Sequence, residues 1–69
     1  MTCVEKERLV SEYETTTSGF AACLTELQRR MGVCSKEEYE RLHREVDEAR
    51  VKSEQARLTL EQHVAAHGC

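Results

Sequence analysis

The stretch that decides the fold lies in the middle of the chain and reads Arg29-Arg30-Met31-Gly32-Val33-Cys34-Ser35-Lys36-Glu37-Glu38. Two arginines suit the negative end of a helix dipole, and Gly32 can adopt the left-handed conformation that ends a helix. Ser35 and Glu38 fit a capping box, in which the hydroxyl accepts from the Glu38 amide and the carboxylate reaches back to the Ser35 amide. The stretch therefore predicts a helix, a short turn and a second helix.

In both flanking segments, a set of positions recurs at alternating intervals of three and four residues. This spacing is the pattern of a supercoiled helical seam. The seam positions of the first segment are Cys3, Lys6, Val10, Tyr13, Thr17, Phe20, Leu24, Leu27 and Met31. Those of the second are Tyr39, Leu42, Val46, Ala49, Ser53, Ala56, Leu60, His63 and His67. Because a short turn makes consecutive helices antiparallel neighbours, we predict an all-α fold, a coiled-coil-like antiparallel two-helix hairpin. It forms a single domain over residues 1–69, with helix 1 at about 3–31, a turn at 32–35 and helix 2 at about 36–67.

Pairing the two seams outward from the turn gives a set of predicted layers. They are Met31 with Tyr39, Leu27 with Leu42, Leu24 with Val46, Phe20 with Ala49, Thr17 with Ser53, Tyr13 with Ala56 and Val10 with Leu60. In these layers two large aromatic residues each meet an alanine, as close packing requires, and the hydroxyl residue Thr17 meets the hydroxyl residue Ser53. Residues 15–19, with three threonines, a serine and a glycine, have poor helix propensity. The heptad phase is nevertheless the same on both sides, so we expect one continuous first helix rather than a break near Gly19.

The composition excludes several classes of protein. The chain has 69 residues, no proline, three glycines and a net charge of −3, which gives no basic face for nucleic acid. No apolar run is long enough to span a membrane and no secretory pattern is present, so we expect a cytoplasmic protein with reduced cysteines. No phosphate loop, nucleophile elbow or substrate-sized concavity is predicted, and we expect neither catalytic activity nor a small-molecule substrate.

A second apolar stripe suggests a partner. Val51, Leu58 and Ala65 recur every seven residues on the face of helix 2 away from the seam, and Leu9 flanks the seam of helix 1. A hairpin of this length builds little core unaided, so such a stripe favours a partner helix over scattered surface apolar residues. We predict a homodimer forming an antiparallel four-helix bundle, or a helical protein partner, with these four residues in the interface. The same heptads could instead open into two long helices swapped between chains.

The open end of the predicted hairpin gathers metal-binding residue types. Continuing the layers, Lys6 meets His63 and Cys3 meets His67, and Cys69 follows just beyond. Two thiolates and two imidazoles fill a tetrahedral zinc site, and histidines four apart point the same way on a helix. The alternatives are an ordinary helix end with half-buried histidines, which the sequence favours, and a Cys3–Cys69 disulfide.

Cys34 is the other candidate reactive residue. It directly precedes the Ser35 cap, and a helix N-terminus lowers the pKa of a thiol. A thiol-based redox switch at the turn is therefore a further alternative function, against an incidental turn cysteine.

Overall fold

The computed structural model describes residues 3–68, which form two helices, α1 (Val4–Arg30) and α2 (Lys36–His67), packed along each other. The predicted all-helical fold with two packed helices is confirmed. Contacts join the start of α1 to the end of α2 and the end of α1 to the start of α2, so the helices are antiparallel. The hairpin measures 52 × 15 × 11 Å between Cα positions. Neither helix has a stretch long and apolar enough to cross a membrane within residues 3–68.

The turn between the helices follows from local sequence signals. The Met31 amide donates to the Leu27 carbonyl at 3.0 Å, and Gly32 then takes a φ of +83°, where the chain leaves the helix. Ser35 is the N-cap of α2, and its hydroxyl accepts from the Glu38 amide at 3.2 Å. The first half of the predicted capping box is therefore present.

The Glu38 side chain differs from the predicted capping box. Its carboxylate forms an ion pair with Arg30, at the end of α1, and lies 3.8 Å from Arg41 on its own helix. An arginine guanidinium is a stronger partner for a carboxylate than a neutral backbone amide. Glu38 therefore joins the two helices across the turn.

The core of the hairpin lies near the turn. Leu27, Leu42 and Val46 form a buried cluster, against which Phe20 and Cys23 pack. These residues include the predicted layer of Leu27 with Leu42. Towards the middle of the hairpin the hydroxyl groups of Thr17 and Ser53 lie 2.8 Å apart, so the predicted Thr17–Ser53 layer is also present.

Helix α1 is rotated relative to the predicted seam. Leu9 is 5% exposed, the most buried apolar side chain of the described residues, whereas Leu24 is 38% exposed. Thr16 and Cys23 are likewise half-buried, while Thr17 is exposed apart from its hydroxyl contact with Ser53. The inner face of α1 therefore includes the positions just before the predicted ones.

Helix α1 is continuous through its glycine, as expected. Gly19 is exposed within the helix, and a Cβ atom added there would meet no atom within 4 Å. Alanine costs less backbone entropy than glycine in a helix. We expect Gly19→Ala to raise the free energy of unfolding by about 0.5 to 1 kcal/mol, measured by urea unfolding. A loss of stability would indicate that α1 bends or packs at Gly19.

Candidate functional site

The open end of the hairpin brings together side chains that are sixty residues apart in sequence. Cys3 is the N-cap of α1, and its Sγ accepts from the Lys6 amide at 3.4 Å. The same sulfur lies 3.2 Å from Nε2 of His63, on α2. The sequence predicted this end as a cluster but paired Cys3 with His67. In the structure the Cys3 sulfur contacts His63.

His67 lies one helical turn beyond His63. The two ring centroids are 4.7 Å apart and the ring planes are tilted by 40°. Gly68 ends the helix with a φ of +66°, and its amide donates to the Val64 carbonyl at 2.8 Å. The histidines therefore share one face of the last two turns of α2, as their spacing predicted.

A charged group borders this cluster on α1. Glu5 forms an ion pair and hydrogen bonds with Arg8, and Arg8 also lies 3.9 Å from Glu12. The hydrogen bond from Arg8 holds the pKa of Glu5 below its usual range, with a smaller contribution from His63 in the same direction. The open end thus has a carboxylate within electrostatic range of His63.

The four predicted metal ligands are only partly brought together. Cys3 and His63 are in contact and His67 stacks beside His63, whereas Cys69 lies outside the described residues. Among residues 3–68, no three His, Cys, Asp or Glu side chains are arranged to hold a metal ion. The sulfur–nitrogen contact also fits a hydrogen bond involving a thiol, so the predicted metal site stays a prediction.

Of the four residues predicted as an interaction stripe, three are exposed and one is buried. Val51 and Leu58 are 44% and 46% exposed and Ala65 is exposed, all on the side of α2 away from α1. Leu9 is not part of this stripe: it is buried inside the hairpin and is unavailable to a partner. The reason is the rotation of α1, which turns the position before Val10 towards α2.

A second group of exposed apolar side chains was not predicted as a surface. Leu24, Met31 and Tyr39 were assigned to the seam, yet they are 38%, 54% and 38% exposed. The sequence signal that indicates Leu24 and Met31 is the breadth of the apolar arc on α1, which occupies three of the seven heptad positions rather than two. One neighbouring helix is too narrow to cover such an arc.

The opposite broad side of the hairpin combines small residues with charged ones. A shallow groove of about 390 Å³ runs there, with the small residues Gly19, Cys23 and Ala49 among its lining. Glu45, Glu48, Lys52, Thr15 and Thr16 complete the lining. The two broad sides of the hairpin therefore differ in character.

Cys34 lies in the turn, as predicted. Its side chain is half-buried, and its amide donates to the Arg30 carbonyl at 3.1 Å. The backbone of this cysteine thus helps to end α1, and a redox role for its thiol stays a prediction.

Comparison with protein families, with curated proteins and with solved structures finds no match to this chain.

Proposed function

We propose that this chain is a small helical association module that acts by self-association and has no catalytic activity of its own. Two hairpins would form an antiparallel four-helix bundle. The observation that carries the proposal is the thin core. Among residues 3–68, four apolar side chains are buried, Leu9, Leu27, Leu42 and Val46, and none is fully enclosed. Eight large apolar side chains of the same residues are exposed.

The shape of the hairpin supports the same proposal. Its radius of gyration is 15.7 Å, whereas a compact domain of this length has one of about 11 Å. It exposes 5208 Å² of surface, against about 4,400 Å² for a compact monomer of 7.9 kDa. A chain that leaves this much surface uncovered gains stability when a second chain covers it.

The oligomeric state of the wild-type protein tests the proposal. We expect a dimer by sedimentation equilibrium, with a melting temperature that rises with protein concentration. Each tenfold rise in concentration stabilises a dimer by about 1.4 kcal/mol relative to unfolded monomers. A monomer at every concentration, with a constant melting temperature, would contradict self-association.

A second candidate function rests on the contact of 3.2 Å between the Cys3 sulfur and the His63 nitrogen. Thiolate and imidazole are both zinc ligands, and this pair joins the start of α1 to the last turns of α2 at the open end. We propose as the alternative that the open end binds Zn²⁺ through Cys3 and His63, with His67 and Cys69 as further ligands. A bound ion would stabilise the part of the hairpin farthest from the buried cluster.

Zinc titration tests this alternative. At a zinc concentration a hundred times the dissociation constant, we expect the wild-type protein to gain about 2.7 kcal/mol of stability. His63→Ala removes a ligand and should abolish the gain. His43→Ala is the matched control, because His43 is an exposed α2 histidine paired with Asp47 at 3.4 Å, far from the open end. Equal melting temperatures of wild-type protein with zinc and with chelator would exclude the site.

A further inference from the structure

The apolar arc of α1 is wider than α2 covers. Between Leu9 and the C-cap residue Met31, apolar or small residues occupy three heptad positions of α1 with the exception of Arg30. Three positions are typical of a helix in a bundle, while two suffice for a two-stranded coil. The apolar or small residues are Leu9, Thr16 and Cys23; Tyr13, Phe20 and Leu27; and Val10, Thr17, Leu24 and Met31. Helix α2 buries Leu9 and Leu27, but leaves Leu24 and Met31 38% and 54% exposed. One edge of the arc is therefore uncovered.

The uncovered side chains lie on one broad side of the hairpin. It is the side on which the hydroxyl groups of Thr17 and Ser53 lie 2.8 Å apart. Leu24 and Met31 follow Thr17 at intervals of seven residues, and Tyr39 precedes Ser53 by two such intervals. We call the surface formed by Thr17, Leu24, Met31 and Tyr39 the Leu24 face. Because it spans both helices, it offers a broader surface than the stripe on α2 alone.

Charges of opposite sign border the two edges of the Leu24 face. On the α1 edge, Glu14 lies one turn before Thr17, is exposed, and forms no ion pair with any of residues 3–68. On the α2 edge, Arg57 lies one turn after Ser53 and forms an ion pair with Glu61 at 2.9 Å, so a partner's carboxylate would share its guanidinium group. Glu14 and Arg57 are therefore both about one turn from the Thr17–Ser53 contact, towards the open end.

This charge arrangement is self-complementary. A twofold axis parallel to the long axis of the hairpin leaves the position of every residue along that axis unchanged. It places α1 of one copy against α2 of the other. Glu14 then meets the partner's Arg57, and the contact occurs twice. Isologous interfaces of this kind are the commonest in homodimers.

The broad side that carries the Leu24 face is large enough for a dimer interface. Over the whole length of the hairpin it measures 52 by 15 Å, on the order of 800 Å², so an interface of standard size, about 800 Å² per partner, would extend from the Leu24 face towards the open end. The groove on the opposite broad side is bordered by Glu45, Glu48 and Lys52, charged residues that a second copy packed there would have to desolvate.

From these observations we infer that a second copy of this chain packs on the Leu24 face, about a twofold axis along the hairpin, with each Glu14 beside the partner's Arg57. The inference rests on the proposed self-association and assigns its surface. The stripe of Val51, Leu58 and Ala65 then lies on the outside of the four-helix bundle.

Two glutamate substitutions test the surface, with a third as matched control. We expect Leu24→Glu and Met31→Glu each to weaken dimerisation about 30-fold or more in sedimentation equilibrium, because a carboxylate buried without a partner is strongly disfavoured. Both sites are partly exposed in the hairpin, so circular dichroism should show the helices retained. Leu58→Glu should change the dissociation constant by less than about threefold, as for other surface substitutions.

The outcomes separate the surface from the proposed function. A dimer that survives Leu24→Glu and Met31→Glu but dissociates with Leu58→Glu would overturn the Leu24 face and leave self-association standing. A wild-type monomer would overturn self-association itself.

Charge reversal tests the orientation. Glu14→Arg and Arg57→Glu should each weaken the dimer, and the double variant should recover most of the loss because the two charges exchange places across the interface. Additive losses in the double variant would overturn the twofold arrangement.

Discussion

Replacing Leu42 with alanine is expected to lower the free energy of unfolding by about 2 to 4 kcal/mol. Leu42 is 6% exposed and lies in the buried cluster with Leu27 and Val46. Removing its isobutyl group loses apolar burial and leaves a cavity that two helices cannot close without shifting. For a chain with a core of this size, such a loss is a large part of the total stability.

The measurement is urea unfolding at one fixed protein concentration, so that any dimerisation contributes equally to both proteins. Leu58→Ala is the matched control, because it removes the same atoms from the same helix at an exposed position. We expect it to cost less than about 1 kcal/mol. Equal losses at the two sites would mean that the core does not lie between the helices near the turn.

Replacing Gly32 with alanine is the second substitution with a large expected effect. Gly32 has a φ of +83°, where a Cβ atom comes too close to the following carbonyl oxygen. No atom of another residue would obstruct the added carbon, so the expected cost is the backbone term alone, about 1 to 2 kcal/mol. Urea unfolding measures this loss.

The same substitution at Gly19 is the control and should have the opposite sign. Gly19 lies inside α1 with open space around it, and alanine there restricts the unfolded chain without straining the folded one. Stabilisation at both glycines would show that the chain at Gly32 can continue as helix. In that case the two helices could open into one long helix exchanged between chains.

The turn was predictable from the sequence because its signals are local. Gly32, Ser35 and the two arginines before Met31 each act within about one helical turn of themselves. The end of α1 and the start of α2 follow from them. The Arg30–Glu38 ion pair was not predicted, because it depends on how the two helices approach each other in space.

The rotation of α1 could not be predicted in this way. Leu9 and Val10 are adjacent in sequence and both apolar, and the same holds for Cys23 and Leu24. A periodic pattern says that an apolar arc exists, but the choice of its more buried edge depends on side-chain bulk across the interface. The structure buries Leu9 and exposes Leu24, and the candidate interface moves with that choice.

At the open end, the contact between Cys3 and His63 was not predicted, and it has a geometric reason. Cys3 is the N-cap, with φ −88° and ψ 105°, and so it does not follow the helical repeat. Its side chain folds back over the first turn to the Lys6 amide. The sulfur therefore sits at the height of Lys6, the residue that the heptads had placed opposite His63.

The position of the buried cluster beside the turn determines the order in which the hairpin can fold. Leu27 and Leu42 are separated by fifteen residues, so closing that loop costs little chain entropy, whereas Cys3 and His63 are separated by sixty. Contacts near the turn can therefore form first, and each later layer then closes only a short additional loop. We expect folding to proceed from the turn outward and amide hydrogen exchange to be slowest around Leu42 and fastest near Val4 and His67, since helix ends fray at little cost.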